Sequence, residues 1–205
     1  LRNSRARAVF SVSVIDPLGS GSLLVVAPFL MEYVFEMPEL KGSLFGVTAL
    51  SSVVSVAFWA PLSRRIGKSA TWQFALATGC LGFGLLSVVP PNAPVLVFFA
   101  GACTGVAMSG GAVISASLAA DLADTDEWVT GERKEGAYAA ANTFFNKSSS
   151  GLMAMLAGFA LQASNFEPNV EQSTGTVWTM RALGGALPLV SNLVAIGLLH
   201  QFRLE

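Results

Sequence analysis

Six long apolar stretches, separated by short polar breaks, constrain this chain more than any other feature of its sequence. They cover residues of about 8–35, 43–62, 70–89, 93–118, 137–163 and 179–201. The hydrocarbon core of a bilayer is about 30 Å thick, so a helix needs about 20 residues to cross it. Backbone polar groups inside lipid must pair within the protein, which favours helices for stretches of this length. The sequence therefore predicts an all-α membrane protein with a bundle of six transmembrane helices.

The scarcity of charge supports a membrane protein and excludes several other classes. Charged residues make up 12% of the chain, against roughly 25% in ordinary soluble domains. The net charge of -1 gives no reason to expect a nucleic-acid partner. The chain has one histidine, no CxxC pair and no glycine-rich phosphate loop followed by lysine, so we expect no enzyme activity and no metal site. Cys80 and Cys103 lie in apolar runs, and we expect both to be free thiols.

The distribution of lysine and arginine predicts the orientation of the helices in the membrane. Cytoplasmic loops carry an excess of these residues. The side of the bundle that holds both chain ends carries Arg2, Arg5, Arg7, Arg64, Arg65, Lys68, Arg133, Lys134 and Arg203, and the opposite side carries Lys41 and Arg181. We therefore expect a multi-pass protein of the plasma (inner) membrane with both ends cytoplasmic. Trp72, Trp128 and Trp178 fall near the expected membrane interfaces, where amphipathic rings are common.

Small residues recur every four positions on two of the predicted helices. Gly101, Gly105 and Ser109 follow this spacing on the fourth helix, and Ala154 and Gly158 follow it on the fifth. Such spacing allows two helix backbones to approach closely. We interpret both stripes as helix-packing surfaces.

Lys147 is the strongest functional candidate in the sequence. It lies about ten residues into the fifth predicted span, so about 15 Å deep and near the middle of the bilayer. A charged amine at that depth is costly unless it faces water or a partner. Thr143, Asn146, Lys147 and Ser150 share a helical stripe, and Asn142 flanks it, so we expect these side chains to line a substrate or ion cavity. The alternative is a lysine that pairs with an acid only to hold the bundle together.

Asp16 is the second candidate, because it lies inside the first span next to a helix-breaking residue. Pro17 follows it, and Gly19 and Gly21 come shortly after; such residues free backbone carbonyls in the discontinuous helices of transporters. We expect Asp16 to face the same cavity as Lys147 and hypothesise that the two side chains pair. The alternative is an aspartate near the membrane interface that lipid headgroups solvate.

The predicted loop 120–136 is acidic and lies on the same side of the membrane as a basic turn at 63–68. Asp121 and Asp124 belong to the loop, and Arg64, Arg65 and Lys68 belong to the turn. Ion pairs between them would form a cytoplasmic gate; the alternative is a solvated loop. The acidic run lacks the ligand spacing of an EF-hand, so we do not expect it to bind a metal.

The stretch from Ala120 to Gly158 resembles the tenth-to-eleventh helix region of the glycoside–pentoside–hexuronide:cation symporters, the melibiose permease relatives within the major facilitator superfamily. The shared pattern is an acidic stretch, a tryptophan, a T-G-x-R-x-E-G turn and an amphipathic helix with a central lysine. Here the turn is Thr130–Gly136, and the lysine is Lys147. Residues 62–68 resemble the family's basic turn between helices eight and nine, and residues 168–173 followed by Arg181 resemble its outer loop before helix twelve.

The resemblance implies that residues 1–205 are the C-terminal half of a twelve-helix major facilitator fold, helices seven to twelve, with the N-terminal half absent. It implies symport of a sugar or glycoside with Na⁺ or H⁺ by alternating access. Lys147 matches the family's central lysine near the sugar and cation sites, and Asn142 and Thr143 match sugar-cavity positions. The family's cation-binding acids belong to the absent half, so we expect the coupling cation mainly there and no other cofactor. The Gly/Ala/Ser-rich tenth helix lacks the aromatic residue that some members place near the sugar, which leaves the sugar open.

Three other interpretations stay open at this point. Relatives within the family carry lysophospholipids, so the substrate is alternatively a lysolipid or another amphiphile, which would require a wide opening towards lipid. A non-transporting membrane scaffold would seal Lys147 in a salt bridge and contain no cavity. A six-helix chain that works alone would have to dimerise to restore twelve helices. The partners expected under the carrier interpretation are a small solute, a coupling cation, membrane lipids and the missing six-helix half.

Overall fold

The computed structural model describes residues 4–131 and 135–201, with side chains from Val9 onward. Several basic residues used for the topology prediction lie outside these limits, either entirely or by their side chains: Arg2, Arg5, Arg7, Arg133, Lys134 and Arg203. The centre of the T-G-x-R-x-E-G turn, residues 132–134, also lies outside the described residues.

The described regular structure is helical, and its order follows the six predicted spans. The segments are α1 Ser4–Phe29 with a π-helical end Leu30–Val34, a 3₁₀ turn Pro38–Leu40, α2 Lys41–Ile66, α3 Lys68–Val88, α4 Pro94–Thr130, α5 Glu135–Ala163, α6 Thr174–Arg181, a π-helical segment Ala182–Ala186 and α7 Leu187–Gln201. The last three run on as one helical rod. Five segments are long and apolar enough to cross a bilayer, which confirms a multi-pass integral membrane protein built from helices.

Helix α5 completes the bundle but is the least apolar of its long helices. Its 29 residues correspond to about 43 Å of helix, enough to cross a membrane. It is not one of the five apolar segments, because polar side chains, including Lys147, interrupt its middle between residues 142 and 150. Its closest partner is α1, against which it packs more extensively than against any other helix.

The fourth helix is longer than the sequence predicted, and the expected loop at 120–136 is wrong for most of its length. Helix α4 continues from the expected end near residue 118 to Thr130. Leu118, Leu122 and Ala123 are buried, so packing stabilises the helix beyond the apolar stretch. It ends at Gly131, whose φ of 72° is in the left-handed region that favours glycine, and whose N–H donates to the carbonyl of Glu127 at 2.8 Å. Hydropathy marked where the apolar stretch ends, not where the helix ends.

Two apolar clusters form the core, one towards each end of the bundle. The first cluster contains Val9, Val12, Trp72, Leu76, Ile114, Leu118, Leu122 and Leu199. The second cluster contains Val26, Leu30, Met31, Phe35, Phe83, Leu86, Val97, Leu161 and Met180. Along α1, α4 and α5 the two clusters are separated by a stretch that supplies mostly small or polar residues. This middle layer is where the candidate site lies.

The small-residue stripe on α4 is a packing surface, as predicted, and the helix that packs against it is α2. A Cβ added at Gly101 would lie 3.1 Å from Thr48 Oγ1, and one at Gly105 would lie 2.7 Å from Ser51 Oγ. Ser109 exchanges a 2.6 Å hydrogen bond with Ser55 and accepts one of 2.9 Å from the indole nitrogen of Trp59. The helices therefore approach so closely that only small residues fit between them.

The second stripe does not behave in the same way. Gly158 has no described atom within 4 Å of a Cβ placed on it and lies on the exposed face of α5. The packing prediction for Gly158 is therefore wrong within the described bundle.

Trp72 differs from the other two tryptophans in the direction of its side chain. It lies one turn into α3, at the expected depth, but only 1% of it is exposed, because it points into the bundle. Trp128 and Trp178 are 90% and 65% exposed, in agreement with interfacial positions. Cys80 and Cys103 are free thiols, as expected.

Arg181 stabilises the C-terminal end of α3. Its guanidinium donates to the carbonyl oxygens of Ser87 at 3.2 Å and Val89 at 2.8 Å, and it lies 5.9 Å from the ring centroid of Phe35. The last carbonyls of a helix have no partner inside the helix, so a cation there satisfies them and complements the helix dipole. This contact joins α6 to the end of α3.

We predict that Gly105→Ala lowers the thermal unfolding midpoint of the full-length protein in detergent. The new methyl group would meet the Thr48 backbone and Ser51 Oγ, and overpacking of this kind costs about 1–3 kcal/mol. Gly158→Ala is the matched control, since its methyl group enters open space and alanine favours the helix. Equal midpoints for the two variants would contradict the close α2–α4 contact.

Candidate functional site

A polar cavity of about 210 Å³ lies between α1, α3, α4 and α5, at the level between the two apolar clusters. We call it the Asp16 cavity. Its polar lining consists mainly of Ser13, Asp16, Trp72, Ser115, Asn146 and Ser150. Polar side chains from four helices converge here on a space that is otherwise surrounded by apolar residues, which is typical of ligand sites in membrane proteins.

The local structure of α1 turns Asp16 into this cavity. Pro17 has no N–H, so one carbonyl of the preceding turn loses its helical partner. Ser20 Oγ donates to the backbone oxygen of Asp16 at 3.1 Å. A Cβ placed on Gly111 would lie 3.0 Å from Asp16 Oδ2, so the absence of a side chain at Gly111 leaves room for the carboxylate. The Asp16 side chain thus points into the bundle.

Two further polar groups in the cavity have no hydrogen-bond partner among the described residues. They are the hydroxyl of Ser13 and the indole N–H of Trp72, and the two residues are 2% and 1% exposed. Nearly all buried polar groups in proteins are paired, so each exception requires an explanation. Here both exceptions border the same polar space.

The predicted polar stripe of α5 does not form one surface: its residues line two separate spaces, and Lys147 lies on the outside of the helix. Asn146 and Ser150 line the Asp16 cavity. Asn142 and Thr143 line a separate groove of about 330 Å³ between α4 and α5, together with Asp124. Asn146 Nδ2 links the two sets by donating to the carbonyl of Asn142 at 2.9 Å.

Lys147 lies on the exposed surface of α5 and in neither lining. It is 12 residues from the start of α5 at Glu135, or about 18 Å along the helix. Within the described residues no acid forms an ion pair with it, so the hypothesised pair with Asp16 is not formed in this conformation. The roles predicted for Lys147, Asn142, Thr143, Asn146 and Asp16 in binding stay predictions.

An ion pair joins the beginning of α3 to the extended end of α4. Lys68 Nζ contacts the two carboxylate oxygens of Asp121 at 2.6 and 2.7 Å. Arg64, Arg65 and Asp124 are exposed and form no ion pair in the described part of the chain. The contact expected between the basic turn and the acidic run therefore exists, through Lys68 and not through the arginines, and its role as a gate stays a prediction.

Sequence reasoning missed Ser13, Ser115 and Trp72 as cavity residues. Ser13 precedes Asp16 by three positions, so helical spacing placed both on one face. Nothing in the sequence alone showed that Trp72 and Ser115 would point at that face, because this depends on how α3 and α4 are rotated. In the described residues no three His, Cys, Asp or Glu side chains are grouped so as to hold a metal ion.

Comparison with known proteins gives the family context of this arrangement. Residues 1–205, the whole chain, match the family model described as "MFS/sugar transport protein". A protein of Salmonella typhimurium named "Putative 2,3-dihydroxypropane-1-sulfonate exporter" is 28% identical over 96% of this chain and 43% of its own length. An "Uncharacterized symporter" of Bacillus subtilis is 26% identical over 94% of this chain and 41% of its own length.

A third relative adds another named substrate. The "Putative sulfoquinovose importer" of Escherichia coli is 27% identical over 84% of this chain and 37% of its own length. The chain thus spans less than half the length of the curated relatives it matches.

We predict energetic coupling between Lys68 and Asp121 in a double-mutant cycle. Lys68→Asp and Asp121→Lys should each lower the thermal unfolding midpoint, and the double reversal should recover part of the loss. Because both side chains are partly exposed, the coupling should not exceed about 1 kcal/mol. The same cycle with Asp124→Lys in place of Asp121→Lys is the control, and equal coupling in the two cycles would contradict the specific pair.

Proposed function

The chain belongs to the MFS/sugar transport protein family, and on that premise we propose that it is the C-terminal half of a carrier that moves a sugar or glycoside together with Na⁺ or H⁺. The proposed carrier alternates between two states in which this six-helix unit rocks against the N-terminal half around a site near the membrane midplane. The proposal includes a coupling-cation site mainly in that other half and cytoplasmic placement of both chain ends.

The exposed polar face of α5 is the observation that carries this proposal. Thr143, Lys147 and Ser148 are exposed near the middle of a helix that is long enough to span the bilayer. By contrast, the exposed face of α3 presents Phe74 and Leu81, which are 53% and 51% exposed. Apolar faces suit lipid, whereas an exposed lysine at mid-membrane depth requires water or another protein surface. The polar face of α5 therefore fits a transport path shared with the absent half.

The chemistry of this face suits a hydroxylated solute. Thr143 on this face and Asn142 in the adjoining α4–α5 groove offer hydroxyl and amide groups that donate and accept hydrogen bonds, as sugar hydroxyls require. Lys147 adds a positive charge that no described acid neutralises. A solute with an anionic group is the favoured variant within this class, and relatives are named for a sulfonate and for sulfoquinovose.

Carriage of an amphiphile is the second candidate. An apolar cavity of about 130 Å³ lies between α1, α2 and α4, where Leu23, Leu24, Phe45 and Met108 line it. A cavity of this kind suits part of an acyl chain. The scaffold interpretation has less support, because it requires an acid that seals Lys147, and the described residues contain none in contact.

Uptake into vesicles tests the proposal. The full-length protein is reconstituted, and uptake of a labelled glycoside, a sulfonated sugar and a lysolipid is measured with and without a Na⁺ gradient and a pH gradient. We expect gradient-driven uptake of a sugar-type solute, lowered about tenfold or more in Lys147→Ala, which corresponds to about 1.4 kcal/mol or more. Lys41→Ala is the matched control, because Lys41 pairs with Glu32 away from this face.

The labelled solutes and the two variants distinguish the candidate functions. Uptake of the lysolipid alone would replace the proposal with the amphiphile candidate. Uptake of none of the solutes by the wild type, or the same loss in Lys147→Ala and Lys41→Ala, would contradict the proposed function.

A further inference from the structure

We propose that the Asp16 cavity binds one small monovalent metal cation of the size of Na⁺, with the Asp16 carboxylate as its charged ligand. This site would lie in the present six-helix half, in addition to any coupling-cation site in the other half. The inference deepens the proposed cation-coupled transport and rests on it for its physiological role. The binding itself follows from the geometry of the cavity.

The charge of the cavity is the first argument. Asp16 is the only ionisable side chain among the described residues that line it, on all four helices. None of the described lysines or arginines forms an ion pair with it. A partly buried carboxylate inside a membrane bundle is stabilised when it is neutralised or paired, because desolvation of the free charge is costly. A bound cation meets this requirement without a change in the protein.

The available ligands are the second argument. Hard cations take oxygen ligands from carboxylates, hydroxyls, carbonyls and water. Ser13 Oγ has no protein partner, and Ser115 Oγ donates only one long bond, 3.3 Å, to the carbonyl of Ala112. Asn146 adds an amide oxygen to the same lining. The cavity of about 210 Å³ is larger than a bare ion, so the proposed occupant keeps part of its hydration shell.

Trp72 borders the same space as the Asp16 carboxylate and gives the proposed site a spectroscopic signal. Its indole nitrogen only donates hydrogen bonds, so it does not ligate the cation. A Cβ placed on Gly111 would lie 3.0 Å from Asp16 Oδ2 and 3.8 Å from Trp72 Nε1, so the carboxylate and the N–H border the same small space. The N–H has no protein partner in the described residues, and a water ligand of the proposed cation in this space would give it one. Trp72 is thus a built-in reporter of occupancy.

A substitution at Gly111 tests whether the space of the cavity, and not only its polarity, is needed for binding. Gly111→Ala removes none of the proposed ligands but adds a methyl group 3.0 Å from Asp16 Oδ2. The methyl group would occupy space that the cation and its water require. The variant therefore tests the cavity without removing a charge.

The experiment uses the purified full-length protein in detergent, without any sugar. NaCl replaces choline chloride at constant ionic strength and pH, while tryptophan fluorescence and the thermal midpoint are recorded. Trp72→Phe identifies the part of the fluorescence change that arises at this site, which separates it from cation binding in the other half. The variants compared are Asp16→Asn and Gly111→Ala. The control is Glu39→Gln, which removes an exposed acid in the 3₁₀ turn Pro38–Leu40.

We expect a saturable, Trp72-dependent change with Na⁺ in the wild type and in Glu39→Gln. Asp16→Asn should lose this Na⁺ response but keep or raise its thermal midpoint in choline chloride, because the substitution removes a partly buried charge that has no cationic partner among the described residues. Gly111→Ala should weaken Na⁺ binding about tenfold, as expected for overpacking of about 1.4 kcal/mol. If Asp16→Asn fails to fold, Gly111→Ala alone decides the question.

Three results would overturn the inference. A Trp72 signal that does not respond to Na⁺ would mean that the cavity holds only water. A signal that follows pH but not Na⁺ would make Asp16 a proton site. An unchanged Na⁺ response in Gly111→Ala would place the cation elsewhere. None of these depends on sugar uptake, so failure of this inference and failure of the proposed function are separable.

Discussion

The need to pair or hydrate every polar group inside the membrane shapes this bundle, and its effect is clearest in the layer between the two apolar clusters. Asp16 faces inward there, and Ser109 bonds to Ser55 and Trp59 across the α2–α4 contact. Asn192 on α7 donates to the carbonyl of Leu76 on α3 at 3.2 Å and is 2% exposed. Each of these contacts fixes the rotation of a helix about its axis, because the same side chain turned towards lipid would be unpaired.

Close packing of α4 makes this layer possible. Its glycines and serines bring α2 within backbone contact on one side, and Gly111 leaves space for the Asp16 carboxylate on another. The side chains of α4 are therefore small in two places: where α2 packs against it, and where it leaves room for the carboxylate. The polar face of α5 lies on the outside of the bundle. The bundle thus has an interior polar cavity and an exposed polar face, at similar depths along their helices.

The sequence predicted the elements better than their rotations. Apolar stretches located all six helices, and the proline beside Asp16 indicated an unusual position in α1. The stripe on α5 was predicted as one surface, but packing against α1 turns Asn146 inward and leaves Lys147 outside, although they are neighbours about 100° apart on the helix. The partner of Asp121 was also not predictable, because Arg64, Arg65 and Lys68 all belong to one basic turn and only Lys68 begins α3. Rotation and reach depend on neighbouring helices, which spacing alone does not describe.

In the proposed carrier, Lys147 faces a water-filled path and not lipid. Cysteine accessibility tests it most directly, in the full-length protein with Cys80 and Cys103 replaced by serine or alanine, and with single cysteines at Lys147 and, as the lipid-facing control, at Leu81. We predict that a membrane-impermeant thiol reagent labels cysteine at 147 and that cysteine at 81 stays unlabelled. Equal protection of both positions from the reagent, in both orientations of the vesicles, would contradict it.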